Sequence, residues 1–143
     1  FCCIHLDILF IGVTAQQIPT VEVTALFELF NNTSGDKWRW RIEEDAGAVW
    51  NITMDAEGSF VNNPCSSKAS SNQTWQGVTC SDSPHVCSSQ MCHITHIYLA
   101  SYDLSGFIPS YISNLSFLES LSLYNNQTTD RITPLSIVEP HEP

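Results

Sequence analysis

Charged residues are few in this sequence, and basic residues are the scarcest. Only 14% of the 143 residues are charged, and 5 Lys and Arg stand against 15 Asp and Glu, which gives a formal net charge of −10. This charge repels phosphate backbones and anionic lipid, so it argues against nucleic acid and against a basic membrane-binding patch. The hydrophobic fraction of 43% is ordinary, and a chain of this length predicts one folded domain.

The short motifs of common enzymes are also missing. Glycine is scarce at 6 residues, and the sequence holds no phosphate-cradling glycine loop, no G-x-S-x-G and no H-E-x-x-H. The adjacent carboxylates of Glu43, Glu44 and Asp45 are more typical of a solvated loop than of an acid/base pair. We therefore expect a protein that is not an enzyme and that needs no cofactor.

No hydrophobic run reaches the roughly 20 residues that a membrane-spanning helix needs. The longest apolar stretch runs from Phe1 to Val13 and ends in the small residues Val13-Thr14-Ala15, as a secretory signal does before its cleavage site. We predict that residues 1–15 are the remnant of a signal peptide, with a buried first strand as the alternative. The protein would then be secreted or at the cell surface, and membrane attachment would need a transmembrane segment downstream.

The cysteines fit an oxidising compartment. Cys2 and Cys3 would leave with the signal peptide, and an even number remains. The remaining four allow three pairings, and we prefer the one between sequence neighbours, Cys65 with Cys80 and Cys87 with Cys92. Closing a loop of about 15 residues stabilises a fold by roughly 3 kcal/mol in the chain-entropy model.

A zinc site is the alternative for part of this region. Cys87, Cys92, His93 and His96 have suitable residue types, but their C-x(4)-C and H-x(2)-H spacings are off the usual zinc pattern. A disulfide is the default for two such cysteines in a secreted protein. We therefore expect no metal.

Acceptor sequons for N-glycosylation also favour passage through the secretory pathway. The pattern Asn-x-Ser/Thr without an intervening Pro occurs at Asn31, Asn32, Asn51, Asn72, Asn114 and Asn126. We predict glycosylation at Asn31, Asn51, Asn72 and Asn114.

The segment after the signal peptide predicts a helix of about three turns over 21–31. Val23, Leu26, Phe27 and Phe30 recur at i, i+3, i+4 and i+7, Pro19 and Thr20 precede them, and Gly35 follows. The pattern is then irregular up to Trp75, with aromatic residues set in Ser/Asn-rich sequence. We expect these aromatics to pack against the helix.

Beyond residue 93 the pattern becomes periodic. A shift of 24 residues superimposes three apolar pairs at L-x-x-L-x-L spacing, Ile94 on Leu118, Ile97 on Leu121 and Leu99 on Leu123. A period of this size is typical of a leucine-rich repeat. Gly106 and Pro109 argue against the alternative of an amphipathic helix, and an ordinary hairpin would not repeat at this spacing.

The stretch "YLASYDLSGFIPSYISNLSFLESLSLYNN" resembles the plant-type leucine-rich repeat, matching its consensus at Leu99, Leu104, Gly106, Ile108, Pro109, Ile112, Asn114 and Leu115. Upstream, "ALFELFNNTSGDKW" and "NPCSSKASSNQTWQGVTC" resemble the N-terminal cap of such proteins. The resemblance implies an α/β solenoid, a leucine-rich repeat fold with a disulfide-stapled helical cap. Its expected parts are a capping region at 16–92, one full and one divergent repeat at 93–132, and a tail at 133–143.

One departure from the consensus concerns the buried Asn whose amide bonds to the backbone of the neighbouring repeat. Tyr102 stands at that position in the first repeat, so we expect this ladder to start at Asn126. A buried Asn126 would also be a poor glycosylation site. The short series of repeats predicts a fragment of a longer array, or an array that ends in divergent sequence.

The resemblance implies a recognition module that binds a protein, peptide or glycan through its concave face. The 24-residue register places Ala100 and the predicted ligand-binding residues on this face, the latter being His96, Tyr98, Ser101, Ser120, Ser122, Tyr124 and Asn125. Tyrosines among small polar groups suit peptide or glycan contact. Proteins of this kind serve as receptor-kinase ectodomains and receptor-like proteins. The alternatives are a hydrolase inhibitor or a structural adhesion protein of the matrix or cell wall.

Overall fold

A computed structural model describes residues 18–65, 74–81 and 91–129. Helix α1 spans Thr20–Asn32, and 3-10 helices span Gly35–Lys37 and Ser110–Asn114. The strands are β1 (Val78–Cys80), β2 (Ile94–Tyr98), β3 (Ser105–Phe107), β4 (Ser120–Ser122) and β5 (Gln127–Thr129). The signal remnant at 1–15, Asn72, Cys87 and the tail at 133–143 lie outside the described residues.

The predicted helix is confirmed, but the residues that it buries differ in part from the predicted apolar face. Its buried residues are Glu22, Val23, Ala25, Leu26 and Leu29. Phe27 and Phe30 are only partly buried, because they pack sideways against aromatic rings of the cap, Phe60 at 5.9 Å and Trp38 at 5.4 Å between centroids. The helix is therefore packed on two sides, which a single apolar stripe in the sequence does not reveal.

Four tryptophans form one cluster beside α1, here called the tryptophan cluster: Trp38, Trp40, Trp50 and Trp75. Ring centroids lie 5.0 Å apart between Trp38 and Trp50 and 5.5 Å apart between Trp50 and Trp75. Two of the buried indole N–H groups donate to backbone oxygens, that of Trp38 to Thr33 at 3.0 Å and that of Trp50 to Gln76 at 2.8 Å. The cluster gives the irregular segment an apolar core with satisfied donors.

Strands β1, β2 and β4 form one sheet in that order, and β3 and β5 form another. β2 and β4 are parallel, and Ile97 lies opposite Leu121, which is the 24-residue spacing of the apolar pattern. β3 and β5 are also parallel, with Gly106 opposite Thr128. On the other side of β2, strand β1 pairs antiparallel, with Val78 opposite Ile97. Each parallel pair therefore needs a crossover, and the 3-10 helix at Ser110–Asn114 lies in the one from β2 to β4.

A disulfide joins Cys65 to Cys80, the pairing preferred from the sequence. It ties the segment between Trp50 and Trp75 to the end of β1. Cys92 is buried and also disulfide-bonded; its predicted partner, Cys87, lies outside the described residues. The core runs without a break from Leu26 and Leu29 of α1 to Ile94 and Ile97 of β2, all of which are fully buried.

Glycine is required where the second sheet approaches the end of α1. Gly106 in β3 has φ +116°, and a Cβ atom there would collide with the carbonyl oxygen of Asn32. The neighbouring Ser105 N–H donates to the Thr33 oxygen at 3.1 Å, so the helix end and β3 are directly bonded. Gly106 thus has a steric role in this chain.

A buried carboxylate links α1 to the first parallel strand. Glu22 is 2% exposed, its Oε2 accepts the Ile94 N–H at 2.8 Å, and its Oε1 lies 2.7 Å from Nδ1 of His93. Burying a carboxylate is costly unless donors satisfy both oxygens, as they do here. Glu22 therefore sets the position of α1 relative to the start of β2.

Glu22→Ala should lower the free energy of unfolding by about 2–4 kcal/mol, because the buried Ile94 N–H loses its acceptor. Glu22→Gln should lower it by only about 1 kcal/mol, since the amide oxygen can still accept from Ile94 and the amide NH2 can donate to the neutral imidazole. Urea unfolding of the three proteins measures both changes. An alanine variant as stable as the wild type would contradict this role for Glu22.

Candidate functional site

The predicted binding positions come together on the outer side of the β2–β4 pair and at its C-terminal end, here called the strand face. His96 lies opposite Ser120, and Tyr98 lies opposite Ser122. Beyond the strands, the Ser101 N–H donates to the Tyr124 oxygen at 3.2 Å, and Asn125 Nδ2 donates to Ser101 Oγ at 2.7 Å. All seven predicted residues and Ala100 therefore belong to one surface. The alternating burial along β2, with Ile97 and Leu99 inside and Tyr98 outside, explains their exposure.

Aromatic rings dominate the exposed area of the strand face. Tyr98 is 48% exposed and Tyr124 is 72% exposed. The His96 ring stacks beside Tyr98 with centroids 5.8 Å apart and an angle of 26° between the planes. Exposed rings held on strands provide contact area at low entropic cost, which is the property expected of a recognition surface.

Two charged side chains that the sequence analysis did not single out lie at opposite ends of the strand face. Glu119 precedes β4, is largely exposed, and has Oε2 3.7 Å from Nε2 of His96. At the other end, the Arg41 guanidinium donates to the Ala100 oxygen at 3.4 Å and lies 5.2 Å over the Tyr102 ring. The strand face therefore has a carboxylate at one end and a guanidinium at the other.

The position of Glu119 beside the strand face could have been inferred from the sequence, but the position of Arg41 could not. The 24-residue shift places Glu119 on Thr95, and the Glu119 N–H donates to the Thr95 oxygen at 2.7 Å across the strands. Arg41 comes from the capping region, 59 residues before Ala100. Only the tertiary fold brings it to this surface.

Asn126 holds the ends of the two parallel strands together. Its Oδ1 accepts the N–H groups of Tyr102 at 3.1 Å and Leu104 at 3.0 Å. Its Nδ2 donates to the Leu99 oxygen at 2.6 Å and the Leu123 oxygen at 3.0 Å. One amide thus satisfies four backbone groups across the turns after β2 and β4, which is the ladder contact expected at this position.

Tyr102, 24 residues before Asn126, has another role. It is 3% exposed and meets Trp40 edge-on, with centroids 6.0 Å apart. Its backbone oxygen accepts the Arg39 N–H at 2.8 Å. Tyr102 therefore attaches the segment of the tryptophan cluster to the end of the strand face.

His93 and His96 contact different partners. His93 bonds to buried Glu22 and stacks on Phe117 with centroids 3.7 Å apart. His96 instead faces Thr95, Tyr98 and Glu119. Within 18–65, 74–81 and 91–129 no three His, Cys, Asp or Glu side chains form a group that could hold a metal ion.

Comparison with known proteins gives one distant relation. No family model matches the chain. Over 122 residues, 85% of its length, the chain is 30% identical to a probable leucine-rich repeat receptor-like serine/threonine-protein kinase of Arabidopsis thaliana, and it spans 10% of that protein. The similarity indicates a relation to leucine-rich repeat receptor-like proteins. None of the helices in the described part of the chain combines the length and apolarity needed to cross a membrane.

Asn126→Ala should lower the free energy of unfolding by about 2–4 kcal/mol, because backbone groups of both turns lose their partners at once. Gln127→Ala is the matched control: its side chain is exposed, and only its backbone N–H is bonded, to Leu104. The control should change stability by less than about 0.5 kcal/mol. Chemical denaturation of the two variants measures the contrast, and equal stabilities would rule out the ladder role.

Proposed function

We propose that this chain is the N-terminal cap and first repeats of a leucine-rich repeat solenoid, and that it acts as an extracellular recognition module. In this proposal the strand face binds a peptide, protein or glycan. The observation that carries it is the register of β2 and β4, which places His96, Tyr98 and Ser122 outside while Ile97 is buried beneath them.

Three features support the solenoid. Two pairs of parallel strands are offset by similar but unequal numbers of residues, 24 between Ile97 and Leu121 and 22 between Gly106 and Thr128. Asn126 spans the gap between successive turns with backbone contacts only, so its role does not depend on neighbouring side-chain identity. The cap residues cover the outer edge of β2 that a repeating stack would otherwise expose.

The location outside the cell rests on independent features. A disulfide between Cys65 and Cys80 is expected to persist in an oxidising compartment. The similarity to a receptor-like kinase favours a cell-surface or extracellular protein, and a longer receptor-like protein of which this chain is one part.

The chemistry of the strand face favours an extended ligand with polar groups along its length. Tyr98 and Tyr124 offer ring faces, while Ser120 and Ser122 lie between and beside them and offer hydroxyl groups. Glu119 and Arg41 add charges of opposite sign at the two ends. A peptide running along the strands would meet all of these groups, and this arrangement favours a peptide over a compact ligand.

The double variant Tyr98→Ala/Tyr124→Ala should weaken binding at least about tenfold, because two exposed aromatic contacts are lost. Tyr111→Ala is the control, since Tyr111 is a similarly exposed tyrosine, 45% exposed, on the 3-10 helix away from the strand face. Binders are selected from a displayed peptide library and from an array of cell-wall oligosaccharides, and their affinities are compared by interferometry.

The control should bind as the wild type does, and all proteins should keep the same melting temperature. Binders that tolerate the double variant and lose affinity with Tyr111→Ala would move the site to another surface.

A further inference from the structure

The sequons within the described residues differ in what the side-chain amide of their Asn does. Asn31 and Asn114 are exposed, and neither side chain makes a hydrogen bond to the described part of the chain. Exposed Asn51 accepts a hydrogen bond from Thr53 Oγ1 at 2.5 Å through Oδ1. In none of the three does the side-chain nitrogen donate a hydrogen bond to residues 18–65, 74–81 or 91–129.

Asn32 and Asn126 are in the opposite situation. Asn32 Nδ2 donates to the Glu28 backbone oxygen at 2.8 Å and to the Glu28 carboxylate at 3.1 Å. Asn126 Nδ2 donates to the Leu99 and Leu123 oxygens at 2.6 and 3.0 Å. Both amide hydrogens are thus used in each side chain, and both residues are only partly exposed.

We propose that the folded protein carries N-linked glycans at Asn31, Asn51 and Asn114, and none at Asn32 or Asn126. The proposal rests on the extracellular route put forward above. It goes beyond the sequons themselves, because Asn31 and Asn32 are adjacent and both lie in sequons, one ending in Thr33 and the other in Ser34, yet only Asn32 has its amide bonded to Glu28.

The chemistry of the transfer explains the difference. The donor is an oligosaccharide linked to a lipid diphosphate: the bond from Nδ2 to the sugar C1 forms, and the bond from C1 to the diphosphate oxygen breaks. The diphosphate leaves with the bonding electron pair, and Nδ2 loses one proton. The modified amide keeps a single hydrogen, so Asn126 would lose a donor and gain a bulky sugar between the strand ends. Chains modified there would fail to form the ladder and would not accumulate as folded protein.

The occupied positions divide the surface. Asn31 lies on α1, and Asn114 ends the 3-10 helix that packs against α1, so both belong to the helical side. Asn51 lies in the loop of the cap. Within residues 18–65, 74–81 and 91–129, the only sequon next to the strand face is that of Asn126, which lies at its border. The Asn126 amide nitrogen is already hydrogen-bonded to the Leu99 oxygen. Glycans would therefore cover the helical side and leave the strand face bare for a ligand.

Site mapping tests the proposal directly. The full chain is secreted from a eukaryotic host with an added signal peptide, and the folded fraction is treated with a peptide N-glycosidase in H2(18O), which converts each occupied Asn to labelled Asp. Label is expected at positions 31, 51 and 114 and not at 32 or 126. Label at Asn32 or Asn126 in folded protein, or unlabelled Asn31, Asn51 or Asn114, would overturn it.

A new glycan on the strand face tests the division of the surface. Ser120→Asn creates a sequon with Leu121 and Ser122, and the fraction of the same variant that carries no glycan at position 120 is the matched control for the substitution itself. The glycosylated fraction should bind the selected peptide or oligosaccharide more weakly than the unglycosylated fraction, while the glycan-removing Asn31→Gln and Asn114→Gln should keep wild-type binding. Retained binding with a mapped glycan at position 120, or binding lost on removal of the native glycans, would contradict the division.

These two tests separate the present proposal from the proposed function. Mapping uses a forced secretory route, so it reports on the amides whatever the native location is. If the map agrees and no ligand is selected by the strand face, the recognition role fails while the glycan assignment stands.

Discussion

The first parallel strand of a stack has an open edge and an uncovered apolar side, and the structure depends on closing both. Strand β1 closes the edge of β2 by pairing antiparallel, and the Cys65–Cys80 disulfide fastens its end. Helix α1 covers the apolar side with Leu26 and Leu29. Without these contacts, Ile94, Ile97 and Leu99 would face water, and exposed backbone groups of β2 would be free to pair with another chain.

Polar side chains from distant elements hold β2 at both ends. Glu22 of α1 bonds to the backbone at its start, and Asn126 after β4 bonds to the turn that follows it. A buried polar group that is fully satisfied specifies one arrangement, because a shift in register would leave it unpaired. The position of β2 is therefore set by the core beneath it and by polar contacts at both of its ends. Its outward side chains take no part in those contacts.

The two sides of the structure differ in what their exposed side chains offer. Tyr98 and Tyr124 are exposed on the strand face, and Ile97 is buried beneath it. On the helical side, Asn31 and Asn114 are exposed. The proposed ligand contacts and the proposed glycans therefore fall on different parts of the same fold.

Local and periodic features could be predicted from the sequence: helix α1 and the 24-residue spacing follow from patterns within one stretch of chain, and the resemblance to a known repeat implied the backbone contacts of Asn126. The second packed side of α1, the burial of Glu22 and the bond it makes to His93 could not be predicted. The last two depend on residues 71 or 72 positions apart in the chain, and the first depends on the aromatic rings of Trp38 and Phe60. Arg41 reaches the strand face for the same reason. Periodicity is a property of neighbours along the chain, so the sequence alone was enough to predict the 24-residue spacing and the alternation of buried and outward residues in β2. The hydrogen-bond partner of a buried polar group depends on which distant segment packs against it. The contacts of Glu22 with His93 and Ile94 therefore became visible only in the tertiary structure.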